Sequence, residues 1–222
     1  MSFIELKQVS FTYPLEKQAV LSGIDLKIKQ DEITALVGAN GSGKTTLTKL
    51  MIGVLKPAIG EVLLEDQITQ NYTLAEIGKK IGYVFQNPEL QLFCNTVAEE
   101  VGFGLTNRGY APNIVKEKVE YYLDYFELSQ YKKTSPLHLS LGEKRRLAIA
   151  SVLVNNADFL ILDEPTVGLD EFRKKNLEKQ LEKIVLLGKG FMLVSHDRLF
   201  IDSLAQRVIT IEAGRVINDV RR

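Results

Sequence analysis

Residues Gly38 to Thr45 read GANGSGKT and match the phosphate-binding pattern G-x-x-x-x-G-K-[ST] at every position. The apolar run 33–37 before them predicts a buried strand, and the run 46–52 after them predicts a helix. A glycine-rich turn between a strand and a helix directs several backbone N–H groups at one point, on the positive end of the helix dipole. The stretch therefore predicts a site that binds the phosphate groups of a nucleotide, and a chance glycine-rich turn is the less favoured interpretation.

Two side chains of this stretch have predicted chemical roles. Lys44 is expected to reach the β- and γ-phosphates as a positive charge and to act in catalysis, and the Thr45 hydroxyl is expected to ligate Mg²⁺. The residues that we predict to contact the nucleotide in this stretch are Asn40, Gly41, Ser42, Gly43, Lys44, Thr45 and Thr46.

Other polar residues follow predicted strands elsewhere in the chain. Apolar runs at 81–85, 159–162 and 191–194 predict strands, and helices are predicted at 141–155 and 171–187. Alternating strands and helices favour a mostly parallel sheet, and sites in such sheets lie at the carboxyl ends of the strands. The positions that fall at these ends are Gly38, Gln86, Asp163, Glu164 and His196. We expect one crevice to collect them.

The rest of the chain frames this crevice. Residues 2–29 alternate apolar and polar side chains and predict strands. Residues 87–139 contain predicted helices and no convincing strand, so we interpret them as an α-helical insertion. The predicted fold class is α/β, with a nucleotide-binding core and a β subdomain at 1–86 and 140–222 and a helical subdomain at 87–139.

The composition excludes some function classes. The 222 residues carry 28 Lys+Arg and 28 Asp+Glu, so no overall positive field attracts nucleic acid. The basic run Lys144-Arg145-Arg146 is interpreted as a solvated helix face. Cys94 is the single cysteine, which excludes an intrachain disulfide, and we interpret it as a packing residue. The apolar runs are far shorter than the ~20 residues that a membrane span needs, so the chain is not expected to cross a membrane.

The order of short motifs along nearly the whole chain resembles the ATP-binding cassette (ABC) family, the ATPase subunits of membrane transporters. After GANGSGKT come FQNP at 85–88, LSLGE at 139–143, FLILDEPT at 159–166, GLD at 168–170 and SHD at 195–197. The resemblance implies a P-loop NTPase core with a mostly parallel sheet, an N-terminal antiparallel β subdomain and an inserted α-helical subdomain. It also implies that the chain binds ATP and Mg²⁺ and hydrolyses ATP.

The resemblance implies a role for each matched position. Asp163 and Gln86 resemble ligands of the Mg²⁺ shell, and Gln86 also resembles the sensor of the γ-phosphate. Glu164 resembles the general base that polarises the attacking water, and His196 resembles the residue that contacts the γ-phosphate. Tyr13 resembles the aromatic side chain that stacks on adenine, and packing against the strand pair is the alternative.

Cassettes of this family bind two ATP molecules between two subunits arranged head to tail. The signature motif of each subunit, which is LSLGE at 139–143 in this sequence, caps the nucleotide bound by the partner. The resemblance implies this capping role for Ser140 and Gly142, with Asp170 in the segment that crosses the interface. The signature carries Leu141 and Glu143 where the family usually has Gly and Gln. Ser140-x-x-Glu143 predicts a capping box at a helix start, and the changed pair predicts slower or weaker closure over the partner's ATP.

Residues 83–105 are similar to the energy-coupling factor branch, which imports vitamins, cobalt or nickel through a transmembrane coupling protein and a substrate-binding membrane component. The similarity implies a peripheral subunit on the cytoplasmic face of the membrane, and Phe93 is a candidate contact with the coupling protein. ATPases of this branch usually carry a C-terminal extension that assists pairing; because the sequence stops at Arg222, we do not expect that contact. Pairing with a second copy and pairing with a different cassette both stay open.

Two other interpretations compete with transport. Soluble cassette proteins of DNA repair insert long coiled coils, and those of translation carry two cassettes; neither feature is visible in the sequence. A nucleotide switch that does not hydrolyse ATP is disfavoured by Glu164 and His196, although the altered signature keeps it open.

Overall fold

Two sheets organise the residues described by the structure, a computed structural model, which are 2–186 and 188–222. The strands are β1 (Ile4–Phe11), β2 (Leu21–Ile28), β3 (Ile33–Val37), β4 (Ile59–Leu64), β5 (Gln67–Ile68), β6 (Ile81–Val84), β7 (Phe159–Asp163), β8 (Phe191–Val194), β9 (Arg207–Glu212) and β10 (Arg215–Arg221). The helices are α1 (Lys44–Met51), α2 (Leu74–Lys80), α3 (Val97–Asn107), α4 (Pro112–Tyr125), α5 (Leu141–Leu153), α6 (Glu171–Leu186) and α7 (Arg198–Leu204). Met1 and Leu187, which our predicted ranges include, lie outside the described residues.

The larger sheet positions the site. Its order is β10-β9-β3-β8-β7-β6, with β9 through β6 parallel and β10 antiparallel to β9 at the edge. Strands β3, β7 and β8 are mainly apolar and almost entirely buried, because helices cover a parallel sheet on both faces. The strands β3, β6, β7 and β8 end at the same edge, so the residues that follow them meet there. The predicted mostly parallel sheet is confirmed.

The smaller sheet is antiparallel, with the order β2-β1-β4-β5. Its strands β1 and β2 alternate buried and exposed residues, as strands with one covered face do. The buried residues form one hydrophobic core with α1 and with one face of β7, which ties this sheet to the phosphate-loop helix. The predicted antiparallel N-terminal sheet is confirmed.

Between β6 and α5 the described chain contains helices and no strand. Helix α4 turns an apolar stripe inward, where Val119, Leu123 and Phe126 are buried in a core shared with α5 and the other face of the large sheet. None of the helices within the described residues is long and apolar enough to cross a membrane. The boundaries of the helical subdomain at 87–139 remain a prediction.

Candidate active site

A cavity of about 510 Å³ opens at the carboxyl ends of β3, β6 and β7. The residues that line it are Tyr13, Glu16, Val20, Asn40, Gly41, Gly43, Lys44, Thr45, Thr46, Gln86, Asp163 and Glu164. All of these except Glu16 and Val20 belong to the set predicted from the sequence. Ser42 lies within the same loop and His196 lies beside it, whereas the cavity lining does not include Ser140 and Gly142.

Glycines let the phosphate loop curve tightly around the cavity. Gly41 and Gly43 have φ angles of +78° and +105°, a region that favours glycine. A Cβ at Gly43 would lie 2.7 Å from Leu21 Cδ2, so a side chain there would collide with β2. Gly43 begins α1 without a side-chain hydrogen bond to the first turn, which leaves N–H groups available to an anion. Ser42 Oγ is buried and lacks a hydrogen-bond partner among the described residues, which fits a site for a phosphate oxygen.

Lys44 folds back over the loop. Its Nζ donates to the backbone carbonyls of Gly38 at 2.7 Å and Ala39 at 2.9 Å. Burial lowers the pKa of Lys44 from its ordinary value, and attraction to Glu164 and Asp163 opposes that change. A positive charge is therefore held at the cavity wall beside two acids.

Asp163 ends β7 and faces the first turn of α1. Its Oδ2 accepts hydrogen bonds from Thr45 Oγ1 at 3.3 Å and from the Tyr83 hydroxyl at 3.1 Å. Tyr83 Oη also lies 3.0 Å from Thr48 Oγ1, so linked hydroxyls hold the carboxylate in place. Burial raises the pKa of Asp163, and the hydrogen bonds from Tyr83 and Thr45 oppose the rise. Sequence reasoning missed Tyr83; its signal is a hydroxyl-bearing side chain within the apolar strand that precedes Gln86.

The oxygens of Thr45 and Asp163 suit Mg²⁺, a hard cation that prefers oxygen ligands. Gln86 lines the same cavity and offers an amide oxygen. Within the described ranges, no group of three or more His, Cys, Asp or Glu side chains is placed to hold a metal ion. Beside nucleotides, Mg²⁺ usually combines one or two protein oxygens with phosphate oxygens and water.

Glu164 and His196 face each other beside the loop. Glu164 has a φ of +49°, and its N–H donates to the Val194 carbonyl at 2.7 Å, so the chain that leaves β7 stays tied to β8. His196 Nε2 lies 3.3 Å from Glu164 Oε1 and 3.1 Å from Asn40 Oδ1. Burial raises the pKa of Glu164, and attraction to His196 opposes the rise. A carboxylate held beside an imidazole at the cavity is placed to accept a proton from a water molecule.

Arg145 corrects one sequence interpretation. It does not lie on a solvated helix face: it is 2% exposed, and its guanidinium donates to the backbone carbonyls of Glu164 and, at 2.7 Å, of Gln86. Lys144 is also largely covered and pairs with Glu89 at 2.6 Å. The interpretation of Arg145 was wrong because α5 packs against the edge of the crevice and turns the Arg145 side chain inward. Its signal in the sequence is the position four residues before the buried Ile149, on the same helix face.

The signature segment lies at the start of α5, outside the cavity. The predicted capping box is present, since Ser140 N and Oγ both donate to Glu143 Oε2 at 2.7 Å and Glu143 N donates to Ser140 Oγ at 3.4 Å. Hydrogen bonds from Tyr131 and Ser140 lower the pKa of Glu143, which keeps it negatively charged. The side chain of Leu141 is 50% exposed on the same surface.

Tyr13 follows β1 and contacts both that strand and the cavity. Its hydroxyl lies 3.2 Å from Thr46 Oγ1 in α1, and its ring meets Phe11 edge to face at a centroid distance of 4.9 Å. The structure therefore shows the packing that we considered as the alternative, and it also places the ring in the cavity lining.

Outside this cavity, α3 displays an apolar surface. Phe93 is 66% exposed and meets Phe103 edge to face at 4.7 Å beside a broad groove of about 650 Å³. The buried Glu100 holds this loop, because its Oε2 accepts hydrogen bonds from Phe93 N at 2.8 Å and Cys94 N at 2.7 Å. Burial raises the pKa of Cys94 to about 11, which agrees with a packing residue rather than a nucleophile.

Comparisons with known sequences agree with this geometry. A sequence model of the family described as ABC transporter matches residues 21–167. The energy-coupling factor transporter ATP-binding protein EcfA of Methanothermobacter thermautotrophicus is 40% identical over 217 residues, which cover 96% of this chain and 69% of that protein. A protein of Methanosarcina acetivorans, named as a candidate ABC transporter ATP-binding protein, is 41% identical over 196 residues, which cover 88% of this chain. The match spans 32% of that relative's length.

Solved structures share the fold. The cbiO1 protein of Clostridium perfringens, described as part of the ABC transporter complex cbiONQ, has a TM-score of 0.83 at 30% identity, covering 99% of this chain and 88% of that chain. The dimeric MJ0796 ATP-binding cassette, in a post-hydrolysis state bound to ADP and Pi, has a TM-score of 0.89 at 28% identity, covering 98% of both chains.

Proposed function

This chain belongs to the ABC transporter family, and we propose that it is the ATP-hydrolysing subunit of an energy-coupling factor importer for a vitamin or a metal ion. The observation that carries the proposal is the placement of Lys44, Thr45, Asp163 and Glu164 around one cavity. Similarity to EcfA and cbiO1 supports the importer class, and so does the exposed aromatic surface at Phe93.

The phosphate loop would bind the triphosphate of ATP. The first turn of α1 begins beside the cavity without a side-chain cap, and the Ser42 hydroxyl is available as a donor. Lys44 would exchange its bonds to the Gly38 and Ala39 carbonyls for bonds to the β- and γ-phosphates. At the other end of the cavity, Tyr13 would stack on the adenine ring.

Thr45, Asp163 and Gln86 would hold Mg²⁺, which when bound neutralises charge on the phosphate oxygens. The hydroxyl of Tyr83 keeps Asp163 turned toward Thr45. This arrangement fixes the carboxylate before a nucleotide arrives, so little reorganisation accompanies binding.

Glu164 would act as the general base of hydrolysis. As the water oxygen attacks the γ-phosphorus, a water proton passes to the Glu164 carboxylate, and the bond from the γ-phosphorus to the bridging oxygen breaks to release ADP and phosphate. His196, held by Asn40 and Glu164, would orient the carboxylate and contact the γ-phosphate. Arg145 would position the backbone of Glu164 through the hydrogen bond that it donates to the Glu164 carbonyl.

A second cassette would complete the site. Ser140 and Gly142 lie on an exposed helix start away from the chain's own cavity, where they would cap ATP bound to a partner. The partner's signature would cap the nucleotide at Lys44 in return. Leu141 and the anionic Glu143 would weaken the cap that this chain supplies to its partner, not the cap over its own ATP.

The Phe93 surface would dock the transmembrane coupling subunit, which would place the chain on the cytoplasmic face of the membrane. Two exposed aromatic rings beside an apolar groove suit an apolar helix of that subunit. A separate membrane component would bind the transported vitamin or metal ion.

Co-expression with transmembrane proteins encoded beside its gene tests this proposal. We expect the chain to purify with them from detergent-solubilised membranes and to drive ATP-dependent uptake of a vitamin or metal ion in reconstituted vesicles. A chain that hydrolyses ATP yet stays fully unassociated would instead be a soluble cassette ATPase, and the importer proposal would be rejected.

A further inference from the structure

A second cavity, of about 240 Å³, lies between the end of α4 and the helices α5 and α6. Among the residues that the structure describes, its charged lining consists of four bases and one acid: Arg145, Arg146, Arg173, Lys179 and Glu127. The chain as a whole has a formal net charge of zero, so this concentration of positive charge is local. The cavity has room for a small anion with several waters.

Two of the guanidinium groups are short of acceptors. The Nε atoms of Arg145 and Arg146 are buried and have no hydrogen-bond partner in the part of the chain that the structure describes. Arg146 has a long contact of 3.9 Å with Glu127 and is also attracted to Glu143, whereas Arg173 pairs with Asp170 at 2.6 Å. A buried charged donor without an acceptor is unfavourable, so the chemistry that this cavity lacks is a negatively charged acceptor.

We infer that this cavity is a binding site for a small tetrahedral oxyanion of the phosphate class. Guanidinium groups present planar N–H edges that match phosphate oxygens, and Lys179 adds a mobile positive charge. Asn176 and Gln180 add amide groups from α6. Inorganic phosphate is available wherever the chain works, because ATP hydrolysis releases it.

Arg145 connects this site to the active site. Two of its nitrogens hold the carbonyls of Glu164 and Gln86, and an anion at Nε would leave both bonds intact. Occupation would therefore satisfy the Nε donor of Arg145 and stiffen the link between residues 85–88, the glutamine loop, and the catalytic glutamate. Arg145 is a positioning residue in this arrangement, and the anion site lies outside the nucleotide cavity.

Equilibrium dialysis with labelled inorganic phosphate tests the inference. The full chain is first saturated with a non-hydrolysable ATP analogue, so that the phosphate loop is filled. We expect one phosphate per chain, bound about tenfold more weakly in Arg146→Gln and in Lys179→Gln, since each variant loses a charge-assisted hydrogen bond. Lys175→Gln is the matched control, because Lys175 is exposed on the same helix and outside the cavity lining.

Three results would overturn the inference: no phosphate bound beside the analogue, unchanged affinity in Lys179→Gln, or an equal loss in Lys175→Gln. Lys179 is an exposed residue, so its variant remains informative even where the Arg146 variant fails to fold. Unchanged affinity for the ATP analogue in the Lys179 variant confirms that the nucleotide cavity is intact and that the loss belongs to the second cavity.

Discussion

The buried guanidinium of Arg145 donates to the backbone carbonyl of Glu164, the residue that follows the acidic strand β7. A second nitrogen of the same side chain donates to the Gln86 carbonyl at 2.7 Å. One arginine thus fixes the distance between the glutamine loop and the proposed base. The Glu164 carbonyl also accepts a hydrogen bond from the Val167 N–H at 3.3 Å, so Arg145 is its second donor.

Replacing Arg145 with methionine is expected to lower both stability and turnover. The Gln86 carbonyl loses this donor and the Glu164 carbonyl keeps only the N–H of Val167 at 3.3 Å, which costs about 1–3 kcal/mol of unfolding free energy. Turnover should fall with little change in the KM for ATP, because Arg145 does not line the nucleotide cavity. Lys144→Met is the matched control: Lys144 pairs with the half-exposed Glu89, and its loss should cost at most about 1 kcal/mol. Equal effects of the two variants in calorimetry and ATPase assays would reject this role.

The acidic limb of the pH–rate profile should report Glu164. Burial raises its pKa, and only the deprotonated form accepts a proton, so turnover should fall at a pH above the ordinary glutamate value of 4.5. Folding correspondingly favours the protonated form, so any stabilisation from Glu164 is present below its unfolded pKa and is lost as the pH rises through the folded pKa.

His196→Gln removes the interaction that opposes this rise in the Glu164 pKa, so the acidic limb of the residual activity should move to higher pH. The measurement is ATP turnover between about pH 5 and 9 at saturating ATP. Glu16→Gln, another carboxylate in the cavity lining, should leave the limb in place. A limb that moves with Glu16 but not with His196 would contradict the assignment.

The altered signature should limit the partner's site. Changing Leu141 to glycine and Glu143 to glutamine removes exposed bulk and a negative charge from the surface proposed to cap the partner's ATP, and glutamine can still complete the capping box. We expect faster ATP turnover in the assembled complex. Glu76→Gln makes the same change in the capping box of α2 and should have no effect. Unchanged turnover in the signature variant would sink the hypothesis.

Phe93→Ser should weaken binding to the transmembrane subunit. Loss of a central aromatic contact typically weakens an interface by about tenfold or more. ATP binding should be unaffected, because Phe93 lies outside the nucleotide cavity. Leu186→Ser removes a comparably exposed apolar side chain at the end of α6 and serves as the control. The measurement is the affinity of each variant for the transmembrane subunit, titrated in detergent. If both variants bound this subunit as tightly as the parent chain does, the docking surface would be contradicted.

Local signals predicted much of the fold and of the candidate site. The phosphate loop, the alternating strands and the Ser140–Glu143 capping box each depend on residues close in sequence, so pattern and spacing are sufficient for them. Arg145 and Tyr83 were different. Arg145 meets partners 19 and 59 residues away, and Tyr83 meets Asp163 80 residues away, so their roles depend on packing that no local pattern encodes.

Basic residues on a short helix are usually solvated, which is why Arg145 was assigned to the surface. Only the docking of α5 against the ends of β6 and β7 makes the inward position favourable, because the backbone carbonyls of Glu164 and Gln86 accept hydrogen bonds from Arg145 there. The hydrogen bonds from Lys44 to the Gly38 and Ala39 carbonyls could not be predicted from the sequence either. The motif predicts the contacts with phosphate and not the conformation of Lys44 before a nucleotide binds.

The central claim is that Glu164 is the base of an ATP-hydrolysing cassette, and Glu164→Gln tests it most directly. Glutamine keeps the shape and the contact with His196 but cannot accept the proton, so ATP turnover should fall by about 10²–10⁴-fold. ATP should still bind, since Lys44 and the loop are untouched, and Glu171→Gln, an exposed acid at the start of α6, should remain active. Turnover in Glu164→Gln equal to that of the parent chain, with ATP bound normally, would contradict the account.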